Sequence, residues 1–312
     1  MKKKFALAIL ALSVAAMTAC GNSNDAGGSS DESITIGVSM LNMSNEFVAA
    51  VAEGIEAKAG ELGVKVIIND GQKDPNKQIQ QVETFIAQKV DAIIFNPVEA
   101  EASSPAVDKA KAAGIPVVNV NAVTVSEPDA FVGSRDQESA QIAIDFLAEK
   151  LGGKGNIVMM HGHLGQSAEI QRTEGAMEAL KAYPELQLIA EQTAEWNRDK
   201  ALSVMQNWLQ AHQGQINGVF AQNDEMGLGA LKALEDAGVE DEIILVSVDA
   251  IADALQAVKD GRQDATVFQN AEAQGGGAVE TAVKIVKGEA FEKEVFVPFE
   301  LVTQENVDQY LK

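Results

Sequence analysis

The sequence predicts an α/β protein made of two similar halves, each a parallel sheet covered by helices. Three observations predict this class. Short runs rich in Val and Ile alternate with longer stretches whose apolar residues recur at three- and four-residue steps. Strands that alternate with helices in this way form right-handed βαβ units and parallel sheets. The short runs are almost continuously apolar, as strands buried on both faces must be. The series is also too long for one sheet, and a break near Ser134–Gln137 divides it into two comparable halves.

In the first half, strand-like Ile34–Val38 precedes a helical pattern over Phe47–Leu62, and Val64–Asn69 precedes Gln78–Gln88. Ala92–Phe95 then precedes Ala102–Ala113, and Val117–Val120 closes the series. The second half repeats it, with Asn156–Met160 before Ala168–Ala182 and Leu188–Glu191 before Lys200–His212. Gly218–Phe220 precedes Glu225–Ala237, and Ile243–Val248 precedes Ile251–Lys259.

The N-terminus has its own character. Lys2, Lys3 and Lys4 lead into Phe5–Ala19, which is apolar except for Ser13 and Thr18. That run is shorter than the roughly 20 residues a membrane span needs, and its flanks suit a secretory signal. Met17-Thr18-Ala19-Cys20, followed by Gly21, resembles the lipobox of bacterial lipoproteins, with Met17 where leucine is usual. Residues 1–20 are therefore expected to be a lipoprotein signal peptide ending at Cys20, the lipidated residue. Cys20 is the only cysteine, so no intramolecular disulfide and no four-cysteine metal site can form. Residues 21–32 are rich in Ser, Gly, Asn and Asp and read as a flexible tether. Two acyl chains anchor stably where one does not, so the expected location is extracytoplasmic, tethered to the outer face of the cell membrane.

The net charge is -22, from 24 Lys plus Arg against 46 Asp plus Glu. No basic stripe lies beyond the signal, which excludes nucleic acid as a partner. No nucleophile elbow, P-loop or dinucleotide fingerprint occurs, and Gly227-Leu228-Gly229 falls inside a helical pattern, so no enzymatic activity is expected. His161 and His163 flank Gly162 after a strand, but with no supporting carboxylate cluster they read as loop residues, and no metal or cofactor is expected.

In open parallel sheets, ligands bind beyond the carboxyl ends of the strands. Those positions hold Asn42, Ser44, Asn45 and Phe47, then Asn96-Pro97, then Asn119 and Asn121 in the first half. In the second half they hold Asn223 and Asp224, Asp249 and Gln269, with Arg172 on a helix and Trp196 in a loop. Asn45 and Ser44 also suit helix capping. Amides, carboxylates, one guanidinium and two aromatics suit a ligand dense in hydroxyls, whose C–H faces stack on aromatic rings.

Phe220-Ala221-Gln222-Asn223-Asp224-Glu225-Met226, continued to Leu234, resembles the corresponding run of bacterial ribose-binding proteins. So do Val204-Met205-Gln206-Asn207, Asn96-Pro97, Gly114-Ile115-Pro116-Val117 and Ala265-Thr266, in order, from about Thr35 to Thr303. The resemblance implies the periplasmic-binding-protein type 1 fold, two flavodoxin-like doubly wound domains joined by a three-segment hinge. The lobes would be 33–134 plus 270–298 and 135–269 plus 299–312, crossing near Ser134–Asp136, Gln269–Asn270 and Pro298–Glu300.

It further implies a solute-binding lipoprotein of an ABC importer, working as a monomer with a membrane permease. A sugar, cyclitol or other polyol would be held between lobes that close on it. The alternative is a receptor for a sugar or furanose-like autoinducer, feeding a chemoreceptor or kinase. The effector domain of a LacI-type regulator shares the fold, but its helix-turn-helix has no counterpart here.

The family's binding positions match Asn45, Phe47, Asn121, Arg172, Trp196, Asn223, Asp249 and Gln269, with Phe47 and Trp196 as the stacking pair. Asn121-Ala122 stands where the ribose binders have Asp-Arg, Val48 replaces a second phenylalanine, and Trp196 replaces another. Those departures remove bidentate contacts and leave more room, so a hexose, a cyclitol or another pentose is expected at least as much as ribose. Asn96, Ser134 and Arg135 are further ligand or hinge residues, with Arg135 also able to pair with Asp136.

Overall fold

The structure is a computed structural model that describes residues 33–311. The expected signal peptide, the acylation site Cys20 and the tether over 21–32 lie outside the described residues.

The chain lays down β1 (Thr35–Met40), α1 (Glu46–Leu62), β2 (Lys65–Asp70), α2 (Pro75–Gln88), β3 (Ala92–Phe95), α3 (Ser104–Ala112), β4 (Val117–Val120) and β5 (Ala130–Gly133). It continues through α4 (Asp136–Leu151), β6 (Lys154–His161), α5 (Ser167–Leu180), β7 (Glu185–Thr193), α6 (Arg198–Ala211), β8 (Gly218–Ala221), α7 (Asp224–Ala237) and β9 (Ile244–Asp249). It ends with α8 (Ala252–Lys259), β10 (Ala265–Phe268), α9 (Ala271–Val286), β11 (Glu294–Phe296) and β12 (Glu300–Thr303).

These strands form two six-stranded sheets, ordered β2-β1-β3-β4-β5-β11 and β7-β6-β8-β9-β10-β12. Every ladder is parallel except that of β12, which runs antiparallel to β10. Each sheet keeps the 2-1-3-4-5 order of flavodoxin-like folds, whose ligand crevice lies at the carboxyl edge. The central strands are fully buried, Ile93, Ile94 and Phe95 in one sheet and Val219, Phe220 and Ala221 in the other.

The helices start and stop where local chemistry directs. Asn45 caps α1 by accepting from the Val48 N–H, and Gly63 closes the helix in the left-handed region at φ 67°. Asp74 caps α2, whose first residue is Pro75, a position where the missing N–H costs nothing. Asn223 caps α7 through the Met226 N–H, and Gly238 ends it.

The chain passes between sheets three times, after β5, after β10 and between β11 and β12. After the first passage α4 packs on α5 and on the second sheet, and after the second passage α9 returns to pack on α1 and the first sheet. The α9–α1 approach is close because it is made through glycine. A Cβ on Gly275 would lie 2.2 Å from the Val51 carbonyl oxygen, and one on Gly54 would lie 2.9 Å from the backbone of Glu272.

Away from the passages the lobes also touch across the cleft. The Ala100 N–H donates to the Gly165 carbonyl at 3.0 Å and the Val123 N–H to Ser167 Oγ at 3.0 Å. His163 Nε2 stands 3.3 Å from Glu99 Oε1, and the Ala252 N–H donates to Glu46 Oε1 at 3.2 Å. The lobes are therefore closed on each other.

Candidate ligand-binding site

A cavity of about 460 Å³, counting the space at its mouth, lies between the carboxyl edges of the two sheets. Asn45, Phe47 and Asn121 line it from the first lobe, and Arg172, Trp196, Asn223 and Asp249 from the second. Gln269, in the second passage, completes the eight positions expected from the sequence, so the fold brings all of them to one cavity. Leu41, Asn42, Val48, Lys73, Gln166 and Ala168 line it as well.

Backbone strain is concentrated here. Eight described non-glycine residues have positive φ. Lys73 (61°), Asn121 (64°), Trp196 (56°) and Asp249 (130°) line the cavity, and Gln72, Glu195 and Ala250 are their chain neighbours. Only Lys89, a helix C-cap, lies elsewhere. Such conformations cost about 1–3 kcal/mol each and persist where the surroundings impose them.

The amides have fixed orientations. Asn45 and Asn223 spend their carbonyl oxygens as helix caps, accepting from the Val48 and Met226 N–H groups at 3.1 and 3.0 Å. Asn42 Oδ1 accepts from the Ser44 N–H and hydroxyl. Gln166 Oε1 accepts from the Trp196 indole N–H, and Gln269 Oε1 from Arg172 Nη2 at 3.1 Å. A backbone N–H, an indole and a guanidinium can only donate, so each NH2 group is turned away from these partners. Gln269, 2% exposed, has a buried Nε2 with no partner at all among the described residues.

Arg172 is held from three sides. Its Nε and Nη2 reach Asp136 Oδ1 at 2.9 and 2.8 Å, Nη1 donates to the Gln222 carbonyl, and Nη2 also serves Gln269. Asp249 is 4.0 Å from Nη1, and its carboxylate makes no hydrogen bond among the described residues. Burial holds the Asp249 pKa well above the carboxylate range, with Asp224 and Asp136 pushing the same way and Arg172 opposing. Asp136 is also raised by burial against Arg172. Asp224 is pushed up to about 6 by burial despite hydrogen bonds from Ser247, Thr266 and the Ile251 N–H.

The Trp196 ring lies directly on Gly162, where a Cβ would fall 1.8 Å from a ring atom. Phe47, 7% exposed, provides an aromatic face from the other lobe.

Four expectations need correction. Asn96 does not line the cavity but stands behind it, its Nδ2 donating to the Val120 carbonyl at 3.0 Å and lying 3.5 Å from Asn121 Oδ1. Ser134 is no ligand contact but a residue of the first passage between the sheets, as its hinge alternative had it; it accepts from Gln274, which in turn accepts from Asn121. Arg135 stacks on Phe296 at 3.9 Å and points to Glu138 rather than Asp136, because Asp136 is taken by Arg172. His161 is not a loop residue without carboxylates. It ends β6 and is hydrogen-bonded to Glu169 at 3.1 Å, Thr173 at 2.9 Å and Glu191 at 3.2 Å. Burial lowers its pKa, but the two glutamates outweigh burial and raise it. No group of three or more His, Cys, Asp or Glu suited to a metal ion occurs among the described residues.

Lys73 and Gln166 were missed although they follow the strand-end rule. Lys73 lies just past β2, a strand end not read for polar residues, and Gln166 lies in the turn after β6, which was read only for His161 and His163.

Residues 36–290 match the family described as Periplasmic binding protein domain. A xylitol-binding protein of Mycolicibacterium smegmatis is 38% identical over 294 residues, covering 94% of this chain and 83% of its own length. The ribose import binding protein of Bacillus subtilis is 37% identical over 308 residues, covering 97% of this chain and 99% of its own. A crystal structure of an ABC transporter solute binding protein from Bacillus halodurans with bound myo-inositol superposes with TM-score 0.85 at 38% identity, covering 89% of this chain and 96% of that one. The order of both sheets, the cavity at their carboxyl edges and these relatives agree, and the chain belongs to the periplasmic binding protein family, as a ribose-binding-protein-like solute-binding protein.

Proposed function

We propose that this chain is the extracytoplasmic, lipid-anchored binding component of an ABC importer, and that its cargo is a monosaccharide, a cyclitol or another polyol. The observation that carries the reading is the set of unused valences in the cavity. Among the described residues the Gln269 NH2 group is buried without a partner and the Asp249 carboxylate makes no hydrogen bond, and both residues line the cavity together with Phe47 and Trp196. A vicinal diol supplies what is missing, its protons to Asp249 and its oxygens to the amides, while the C–H faces of the ring cover the aromatics. Leaving such groups unpaired costs about 1–3 kcal/mol each.

Arg172, Trp196, Asn223 and Asp249 belong to one lobe and Asn45, Phe47 and Asn121 to the other, so full contact exists only when the lobes are closed. Ligand binding thereby pulls the hinge equilibrium to the closed form, which the permease reads. Cys20 carries the anchor, and the protein acts as a monomer.

Relatives described as binding xylitol, ribose or myo-inositol support the cargo class. A second reading, delivery to a sensor kinase, is favoured by one structural neighbour, the fructose binding periplasmic domain of a hybrid two component system, at 30% identity and TM-score 0.84.

A thermal-shift screen of residues 21–312 against pentoses, hexoses, inositols, linear polyols, amino acids and nucleosides tests the cargo. A ligand bound only by the folded state raises the melting temperature. A rise with one sugar or cyclitol is the expected result, and a rise confined to an amino acid or nucleoside would refute it.

A further inference from the structure

We infer that Asn42, Lys73 and Gln166 form a further subsite at the mouth of the cavity, which reads one additional oxygen substituent of the ligand and so sets its selectivity. This inference rests on the polyol reading above. None of the three is among the eight positions matched from the ribose binders, and all three line the cavity.

Asn42 and Gln166 offer donors whose direction is fixed, and Lys73 offers an exposed ammonium on a fixed backbone. Asn42, 8% exposed, spends Oδ1 on Ser44, and Gln166, 4% exposed, spends Oε1 on the Trp196 indole. Their NH2 groups make no hydrogen bond among the described residues. The Lys73 backbone is tied to Leu41, next to Asn42, through its N–H at 2.9 Å, and it sits in a turn where Gln72 and Lys73 are consecutively left-handed at φ 56° and 61°. Its ammonium has no hydrogen bond or ion pair among the described residues. Its field reaches Glu195, whose pKa is held low chiefly by Lys200 and further by His163 and Lys73. Glu195 precedes Trp196, the donor to Gln166, which places Lys73 on the Gln166 side of the cavity.

The carboxylate of Asp249, with Arg172 and Gln269, occupies the other end, beside the second passage. This side of the cavity thus holds two amide donors on buried residues and the ammonium of the exposed Lys73. A group that fits there presents lone pairs, either the hydroxyl of a hydroxymethyl arm or ring carbon, or a carboxylate at the same place. A pentopyranose, which lacks that arm, leaves the two amide donors without a ligand acceptor and is disfavoured.

The test is calorimetric titration of residues 21–312 with xylose, glucose and glucuronate, with arabinose, galactose and galacturonate, and with myo-inositol and a monodeoxyinositol. The same titrations are run on Lys73→Met, which keeps the side-chain stem, and Gln166→Glu, which keeps the acceptor for Trp196 but replaces the donor. The wild type should favour the fuller member of the series it binds by at least about tenfold, since unpaired polar groups set such ratios. That ratio should fall at least about fivefold in each variant. A uronate preference would assign the substituent as carboxylate and a hexose or inositol preference as hydroxyl, and either supports the subsite. An unaltered ratio in both variants, with polyols still binding, overturns the subsite alone. Absence of binding by every polyol overturns the cargo assignment and the subsite with it.

Discussion

The Asp249 carboxyl is 6% exposed, at a backbone φ of 130°, with Arg172 4.0 Å away and no hydrogen bond of its own. These features weaken the empty protein and prepare it for a ligand. Asp249→Ala should weaken ligand binding by about 100-fold or more, since two hydrogen bonds to a charged acceptor contribute roughly 3 kcal/mol or more. Titration calorimetry checks this. The stability effect has the opposite sign. Asp249 and Asp224 have folded-state pKa values above the carboxylate value of 3.8, Asp224 at about 6. Their contribution to stability is fully present below 3.8 and is lost as pH rises through the folded values. Ligand-free Asp249→Asn should therefore melt higher than wild type at pH 7, and the gap should close as the pH is lowered to 4. An unchanged gap would contradict this account of the buried carboxyl. Gly162 acts through shape alone. A methyl group there would displace the Trp196 ring, so Gly162→Ala should shift tryptophan fluorescence and weaken binding at least about tenfold through lost stacking.

At the scale of elements, helix starts double as binding groups. Asn45 and Asn223 cap α1 and α7 with their oxygens and present their NH2 groups to the cavity. Asn223→Asp separates the two roles, because aspartate caps as well as asparagine but cannot donate. It should leave the melting temperature within about 2 °C of wild type, as an equivalent cap predicts, while weakening ligand binding about tenfold or more. A large loss of stability instead would show that the cap was misread.

The same scale explains what the sequence revealed. The strands of both sheet centres were legible because they are unbroken apolar runs, and the polar groups beyond them followed from topology. The helix α9 was not picked out, because Gly275-Gly276-Gly277 dilutes its apolar pattern. Gly275 serves the close approach to α1 and Gly277 faces Val132 of β5, tertiary requirements invisible to periodicity. The strands β11 and β12, of three and four residues, lie at sheet edges where burial is partial and the apolar signal is weak. Of the roles open to Arg135, the pair with Asp136 fails because adjacency in sequence says nothing of Arg172, whose side chain comes from 36 residues along the chain and claims that carboxylate.

On the scale of the whole molecule, two sheets share one cavity and three chain passages, and the lobes meet at Glu99–His163, Ala100–Gly165 and Val123–Ser167. Apolar contact also joins the lobes, with Ile251 and Ala254 packed in the same cluster as Phe47, Val51 and Ile55, and ligand contacts add to the free energy of closing. Small-angle scattering should show the radius of gyration falling when ligand is added, and no compaction with a bound ligand would contradict the hinge account. The most direct measurement is calorimetric titration of residues 21–312 with myo-inositol and with the hexoses and pentoses, run in parallel on Asp249→Ala. The account predicts saturable one-to-one binding of at least one of these polyols, lost in the variant. Saturable binding that survives unchanged in Asp249→Ala, or none by any polyol in the wild type, would contradict it.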